Sequence, residues 1–166
     1  MRRILIVASA FLLGGCTTTQ IVTSGEAAAV APMLSVERFL QASNNRDLHS
    51  MARLFGTDDG ASIDTGGTFG CAFKKLGSWI GIGDRCETLQ EVELRMDAIS
   101  QILEHEDYTV VSEESVAGRI HPTSRIGVNL QIDGRTVEDV PFIVVRTGEG
   151  RWLIEQIGLD RITGRR

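Results

Sequence analysis

The chain has 166 residues, which is enough for one domain with a substantial hydrophobic core. It carries 17 basic and 22 acidic residues, a formal net charge of −5, and its lysines and arginines form no cluster along the sequence. An acidic surface repels phosphate backbones, so the composition argues against a nucleic-acid partner.

The first fifteen residues have the order of a secretory signal peptide. Arg2 and Arg3 give a basic start, and residues 4–13 form an apolar run that is too short to cross a bilayer as a helix. Small residues follow and then a cysteine, which favours a signal peptide at residues 1–15 over a transmembrane anchor. Loss of this segment leaves 15 basic and 22 acidic residues, so the mature net charge is −7.

The segment Leu13-Gly14-Gly15-Cys16 closely resembles the bacterial lipobox. The resemblance implies cleavage before Cys16, a diacylglycerol on its sulfur and an acyl chain on its new amine. The alternative is an ordinary signal peptide with a chance cysteine. The next residue is Thr17 rather than aspartate, and similarity to Gram-negative sorting signals implies an anchor in the outer membrane, with the protein on its periplasmic side.

Residues 16–32 are predicted to be a flexible tether, and residues 33–162 are predicted to be the folded domain. Residues 17–31 are rich in threonine, alanine and serine and show no apolar periodicity, which is typical of a linker. A short helix over residues 26–30 is the alternative, but it is uncapped and too short to persist alone.

Two helices are predicted at the start of the domain. Residues 34–44 have helical spacing with Ser35 as N-cap, and Asp47 is placed to cap a second helix that ends at Gly56. Residues 61–63 are predicted to form a short strand. The apolar faces comprise Val36, Phe39, Leu40 and Ser43 in the first helix, and Leu48, Met51, Ala52 and Phe55 in the second.

A glycine-rich segment, residues 65–85, precedes the next helix and includes Cys71, with Cys86 directly after it. Lipidation of Cys16 leaves these two cysteines in an oxidising compartment, so we predict a disulfide between them. A redox or metal pair is the alternative, but the chain has no Cys-x-x-Cys motif. Residues 76–83 are either a lid or partner contact, or a segment that packs against the core.

The second half of the domain has one helical pattern followed by strands. Residues 87–104 are predicted to be helical, with an apolar stripe formed by Leu89, Val92, Met96, Ile99 and Leu103. Residues 108–116 and 126–132 are predicted strands, and the second alternates strictly between apolar and polar side chains. Asp133-Gly134 predicts a type I′ turn, and residues 140–159 predict a covered, central hairpin around residues 147–150.

The order of helices and strands resembles the NTF2-like superfamily, which is also described as SnoaL-like or cystatin-like. The segments that carry the resemblance are residues 36–48, 51–55 and 150–154. The resemblance implies an α+β cone in which three helices pack on a curved antiparallel sheet of about four to five strands. Members of this superfamily include isomerases, dehydratases, binding modules and assembly domains, so the fold does not select a function.

Few ionisable residues are candidates for catalysis. Glu155 is predicted to share a strand face with Leu153 and Ile157, where an apolar pocket would raise its pKa. The other candidates are Asp64 and a group at the end of the long helix, His105, Asp107 and Tyr108, while His49 and His121 have no evident partner. For each of them the alternative is a solvated residue or, for His105, a cation that complements a helix C-terminus.

The sequence has no nucleophile triad, metal-ligand spacing or paired-acid motif, and we expect neither cofactor nor metal. It predicts a lipid-anchored, non-catalytic binding or assembly module for a small apolar ligand or an envelope protein. The alternative is a small isomerase or dehydratase that acts on an apolar substrate. That enzyme would place Glu155 or Asp64 in a cavity within reach of Tyr108 or His105.

Overall fold

The computed structural model describes residues 31–65 and 88–164. The predictions for the signal peptide, Cys16, the tether up to residue 30, the Cys71–Cys86 disulfide and residues 76–83 lie outside the described residues. The last residue predicted for the tether, Pro32, is helical. No helix within the described ranges is long and apolar enough to cross a membrane.

The described residues form an α+β fold, as predicted. The elements in chain order are α1 (Pro32–Asn44), α2 (Leu48–Leu54), β1 (Gly56–Thr57), β2 (Gly60–Ala61), α3 (Ser62–Thr65), α4 (Leu89–Ile102), β3 (Asp107–Ser115), β4 (Thr123–Ile132), β5 (Arg135–Arg146), β6 (Trp152–Ile157) and α5 (Asp160–Thr163). Four antiparallel strands make one sheet in the order β3-β4-β5-β6, and the two very short strands β1 and β2 pair beside it.

Helix α1 begins at Pro32, earlier than predicted. Proline suits the first helical position because its φ is already helical. An N–H group at this position would have no partner within the helix, so its absence costs nothing. The predicted N-cap, Ser35, is wrong: it lies inside the helix and is fully buried. Its Oγ donates a hydrogen bond of 2.7 Å to the carbonyl oxygen of Trp152, which joins α1 to the first residue of β6.

The starts of α2 and α4 are fixed by side-chain caps. Asp47 accepts a hydrogen bond of 3.0 Å from the Ser50 N–H, as the sequence predicts. At α4, the Thr88 hydroxyl accepts from the Glu91 N–H at 3.3 Å and the Glu91 carboxylate accepts from the Thr88 N–H at 2.7 Å. This reciprocal arrangement is a capping box, which satisfies two of the otherwise unpaired donors at the helix start.

Two predictions between α2 and α3 are wrong. Gly56 does not end α2 as a glycine in the left-handed conformation. Phe55 before it already has extended φ and ψ of −106° and 132°, and Gly56 continues into β1. The strand predicted over residues 61–63 ends at Ala61, since Ser62 begins α3.

The core lies between α1, α2 and α4 and one face of the four-stranded sheet. The predicted helical faces lie there, but Leu48 and Phe55 at the two ends of α2 are only partly buried, and Leu89 at the start of α4 is 49% exposed. The largest fully buried side chains of this core are Phe39, Leu40, Met51, Met96, Leu103, Ile126, Leu130, Phe142 and Ile154.

The sheet contains three bulges, at each of which one strand carries one residue more than its partner. They lie at Val111 in β3, at Glu138–Asp139 in β5 and at Glu155 in β6. A bulge bends its strand and increases the local twist. The predicted Asp133-Gly134 turn is confirmed by φ values of 50° and 68°, which type I′ geometry requires.

The last hairpin is formed by β5 and β6, as predicted, but it is not central. β5 is an inner strand, whereas β6 is one edge of the four-stranded sheet and β3 is the other. Beyond β6, Phe55 makes an isolated parallel bridge with Ile154, so α2 and β1 lie against this edge.

Candidate functional site

The connection between β3 and β4, residues 116–122, carries two basic side chains that pair with acids at the border of a cavity. Arg119 Nη2 forms an ion pair with Glu155 Oε2 on β6. His121 Nε2 lies 3.2 Å from Asp58 Oδ2, in the turn between β1 and β2. The connection leaves the β3 edge of the sheet, and its side chains contact elements at the opposite, β6 edge.

Backbone and hydroxyl contacts fix the base of this connection. The Thr123 hydroxyl donates to the His121 carbonyl oxygen at 2.9 Å and lies 3.5 Å from Arg119 Nε. The Arg146 N–H donates to the Pro122 carbonyl oxygen at 2.9 Å. The tip, Ile120, is 96% exposed.

An open cavity of about 270 Å³ lies under the connection, and we call it the β3–β4 cavity. Acidic, basic and apolar side chains line it. Its lining residues are Asp58, Gly118, Arg119, Ile120, His121, Thr123, Val145 and Glu155. Such a lining can hydrogen-bond a ligand from several directions.

Glu155 lies only partly where the sequence predicted: it shares a face with Leu153, which pairs with Val145, but not with Ile157. It is the extra residue of the β6 bulge, because Val144 pairs with Ile154 and Ile143 pairs with Gln156. Ile157 pairs with Phe142 on the core face, whereas Glu155 lines the β3–β4 cavity together with Val145 on the opposite face. The bulge interrupts the alternation, so Glu155 and Ile157 do not share a face.

The predicted group at the end of α4, His105, Asp107 and Tyr108, does lie together, but the contacts of His105 are structural. The Asn44 side chain donates to the His105 carbonyl oxygen at 2.9 Å and accepts from the His105 N–H at 3.2 Å. These two hydrogen bonds connect the end of α1 to the segment that follows α4. The His105 ring is buried, and its Nδ1 lies 2.6 Å from the Leu103 carbonyl oxygen, so it satisfies a helix end.

Tyr108 packs edge-on against the His105 ring, with centroids 5.7 Å apart and an angle of 81°. Partial burial, together with the nearby Glu37 and Asp107 carboxylates, raises the pKa of Tyr108 above its usual value. The Asp107 side chain accepts from the Tyr108 N–H at 2.9 Å. An open, mainly polar cavity of about 430 Å³ adjoins this group.

The structure does not unite the catalytic candidates. Tyr108 is on β3 and Glu155 is on β6, at opposite edges of the sheet. Strand spacing alone separates these edges by about 14 Å. Asp64 has a side chain that is 62% exposed and lies 3.8 Å from the Arg151 guanidinium.

The two histidines without an evident partner in the sequence both have one. His121 faces Asp58, as described, and His49 Nε2 accepts from Arg53 Nε at 3.0 Å. The second pair spans one turn of α2 on its exposed side, and we assign it no functional role.

Sequence reasoning also missed a polar network on the solvent-facing side of the sheet. Asp139 has a left-handed φ of 49° in the β5 bulge, and its N–H donates to Asn129 Oδ1 at 2.9 Å. Its carboxylate lies 2.7 Å from Arg125 Nη2 and 3.7 Å from Arg161 Nη2. The hydrogen bond from Arg125 holds the pKa of Asp139 below its usual range and raises that of Arg125.

One signal for this network was present in the sequence. Two consecutive polar residues, Glu138 and Asp139, interrupt the apolar alternation between Val137 and Val140. An interruption of this kind is what a bulge requires. Within residues 31–65 and 88–164, no group of three or more His, Cys, Asp and Glu side chains could hold a metal ion.

Comparison with protein-family models, with curated proteins and with solved structures gives no match to this chain.

Proposed function

We propose that this protein is a lipid-anchored, non-catalytic binding or assembly module of the bacterial envelope. Its anchor is Cys16 in the outer membrane, and its domain lies on the periplasmic side. The lipobox-like segment Leu13-Gly14-Gly15-Cys16 supports the anchor. The folded domain then serves to present a recognition surface.

The observation that supports binding best is the pairing of the charged groups in the β3–β4 cavity. Arg119 contacts Glu155 and His121 contacts Asp58, so the acids and bases orient one another. A paired and partly exposed set of this kind gives directional contacts to a ligand or partner. A general base for proton abstraction would instead need a carboxylate within reach of the substrate proton.

The proposal includes an NTF2-like fold for residues 33–162. In its support, α1, α2 and α4 share one core with one face of an antiparallel sheet, and the strands of that sheet carry three bulges. An experimental structure of the whole mature chain tests this: a cone with the helices in its concave face is expected. An open, flat sheet contradicts it.

The anchor is tested by membrane fractionation of the full chain and of Cys16→Ala. We expect the full chain in the outer-membrane fraction and the variant to lose lipid and leave that fraction. Detergent extraction followed by intact-mass measurement reads the lipid directly. Recovery of the unmodified full chain as a soluble periplasmic protein contradicts the anchor, and the Thr17→Asp variant serves as a sorting control because it is expected to stay in the inner membrane.

The binding role is tested by native mass spectrometry of the mature chain purified from the periplasmic side. A retained ligand or a defined complex supports the proposal. The alternative enzyme, an isomerase or dehydratase, predicts turnover that Glu155→Gln abolishes. Such turnover contradicts a non-catalytic role.

A further inference from the structure

The β3–β4 cavity differs from an ordinary surface ion-pair cluster because its charged groups surround a concave space. Arg119 contacts Glu155 and His121 contacts Asp58, and all four line it. The acidic groups accept hydrogen bonds, whereas the guanidinium donates them in a fixed planar geometry. A ligand in this space therefore meets both donors and acceptors.

The pairing constrains the charge of the ligand. An anion would compete with Glu155 for Arg119 and would also face the Asp58 and Glu155 carboxylates. A cation would compete with Arg119 for Glu155 and would face the guanidinium. A neutral group that both donates and accepts can use these side chains without separating the pairs, and hydroxyl groups have this property.

The remaining lining supports the same class of ligand. Ile120, which is 96% exposed, offers apolar surface beside the charged groups. The volume of about 270 Å³ falls just below the range of about 300–1,000 Å³ that accommodates drug-sized ligands. The space thus suits a single ring with hydroxyl groups on its rim and C–H groups on its face.

We propose that the β3–β4 cavity binds one neutral, polyhydroxylated sugar residue. Arg119 and Glu155 hydrogen-bond adjacent hydroxyls, Asp58 and His121 contact the opposite rim, and Ile120 lies against the C–H face of the ring. This inference rests on the proposed binding function and names its ligand class. A sugar residue of this kind can come from a free saccharide or from a glycan chain.

The test is an NMR titration of the whole mature chain, labelled with ¹⁵N and lacking only the lipidated cysteine. The neutral probes are glucose and N-acetylglucosamine, and the charged probes are acetate, inorganic phosphate and diglycine. We expect saturable shifts of the backbone amides at residues 118–121, Thr123, Val145 and Glu155 with a neutral sugar. A soluble glycan oligomer that binds more tightly than the monosaccharides identifies a glycan chain, and equal affinities identify a free saccharide.

Arg119→Gln is the decisive variant, since it keeps a hydrogen-bonding amide but loses the guanidinium. It should weaken sugar binding about tenfold, because the lost donor is charged. Arg46→Gln is the matched control: Arg46 pairs with Glu104 at 3.5 Å on an exposed surface outside the cavity, and affinity should not change. If Arg119→Gln does not fold, the Glu155→Gln variant and the amide shifts of the unaltered protein test the same cavity. An unchanged affinity of Glu155→Gln for the sugar contradicts the inference.

Two further results overturn the inference. One is the absence of saturable shifts with either sugar, including the case in which charged probes bind instead. The other is sugar binding that Arg119→Gln and Arg46→Gln affect equally. Neither result changes the outcome expected from membrane fractionation or from native mass spectrometry. The sugar inference can therefore fail while the proposal of a lipid-anchored binding module remains supported.

Discussion

At the scale of single residues, pairing governs the charged side chains of this protein. Arg125 and Asp139 pair on the sheet, Arg119 and Glu155 pair at the cavity, and each pair joins segments distant in sequence. Partly exposed pairs of this type contribute only about 0–1 kcal/mol each. Their main effect is to fix local geometry, and the left-handed backbone at Asp139 is one such geometry.

Asp139→Asn tests this view through the pH dependence of stability. Arg125 lowers the folded-state pKa of Asp139, so the stabilisation exists above the unfolded pKa of about 3.9 and disappears as pH falls through the folded value. The variant should be less stable at neutral pH by at most about 1 kcal/mol and equally stable in strong acid. Urea unfolding at both pH values measures this.

Glu138→Gln is the control for that measurement. Glu138 is an exposed neighbour in the same bulge, and its substitution should not change the unfolding free energy at either pH. Asparagine tolerates left-handed φ, so backbone strain does not confuse the comparison. An equal destabilisation of Asp139→Asn at both pH values would contradict the role of its charge.

At the scale of elements, local patterns predicted most helices and strands, whereas non-local contacts determined the exceptions. Alternation at residues 126–132 predicted the inward face of β4, because a two-residue period is a local property. Glu155 could not be placed in the same way, since its face depends on the β6 pairing with β5. The Arg119 contact with Glu155 was equally unpredictable, because it depends on the path of a loop across the sheet.

Gly158 is a close-packed contact between the end of β6 and β5. A Cβ at this position would lie 2.6 Å from both Cγ and Cδ of Pro141, whose ring cannot rotate away. Gly158→Ala should therefore destabilise the protein by about 1–3 kcal/mol. Denaturant unfolding measures the loss.

Gly148→Ala is the matched control, because no atom lies within 4 Å of a Cβ there and its φ is not left-handed. We expect a neutral or slightly stabilising effect, since alanine reduces the freedom of the unfolded chain. Equal stability of the two variants would show that the Pro141 ring moves aside.

At the scale of the whole molecule, the sequence predicts a lipid anchor at Cys16, a flexible tether and a domain that contains one disulfide. The proposed anchor and the predicted disulfide involve all three cysteines. The α+β class and the antiparallel sheet followed from the periodicities, while the place of β6 at an edge did not. Which strand lies at an edge depends on the complete set of strand pairings.

The disulfide is tested by intact mass and by thermal unfolding. The oxidised chain should be two hydrogens lighter than the dithiol form, and alkylation should find neither Cys71 nor Cys86 free. Reduction should lower the unfolding free energy by about 3 kcal/mol, because a loop of this size closes between the two cysteines. Alkylation of both cysteines without a reductant would refute the bond, and Cys71→Ser with Cys86→Ser should reproduce the reduced protein.

The three bulges also affect where the domain can tolerate the deletion of one residue. In a regular strand, removal of one residue turns every later side chain to the opposite face. At Val111, Glu138 or Glu155, removal of the extra residue instead restores regular pairing, and the core residues on either side keep their face. Such single-residue deletions would flatten the sheet locally but leave its interior facing inward. These are the sites within the described sheet where descendants of this sequence can become shorter without unfolding.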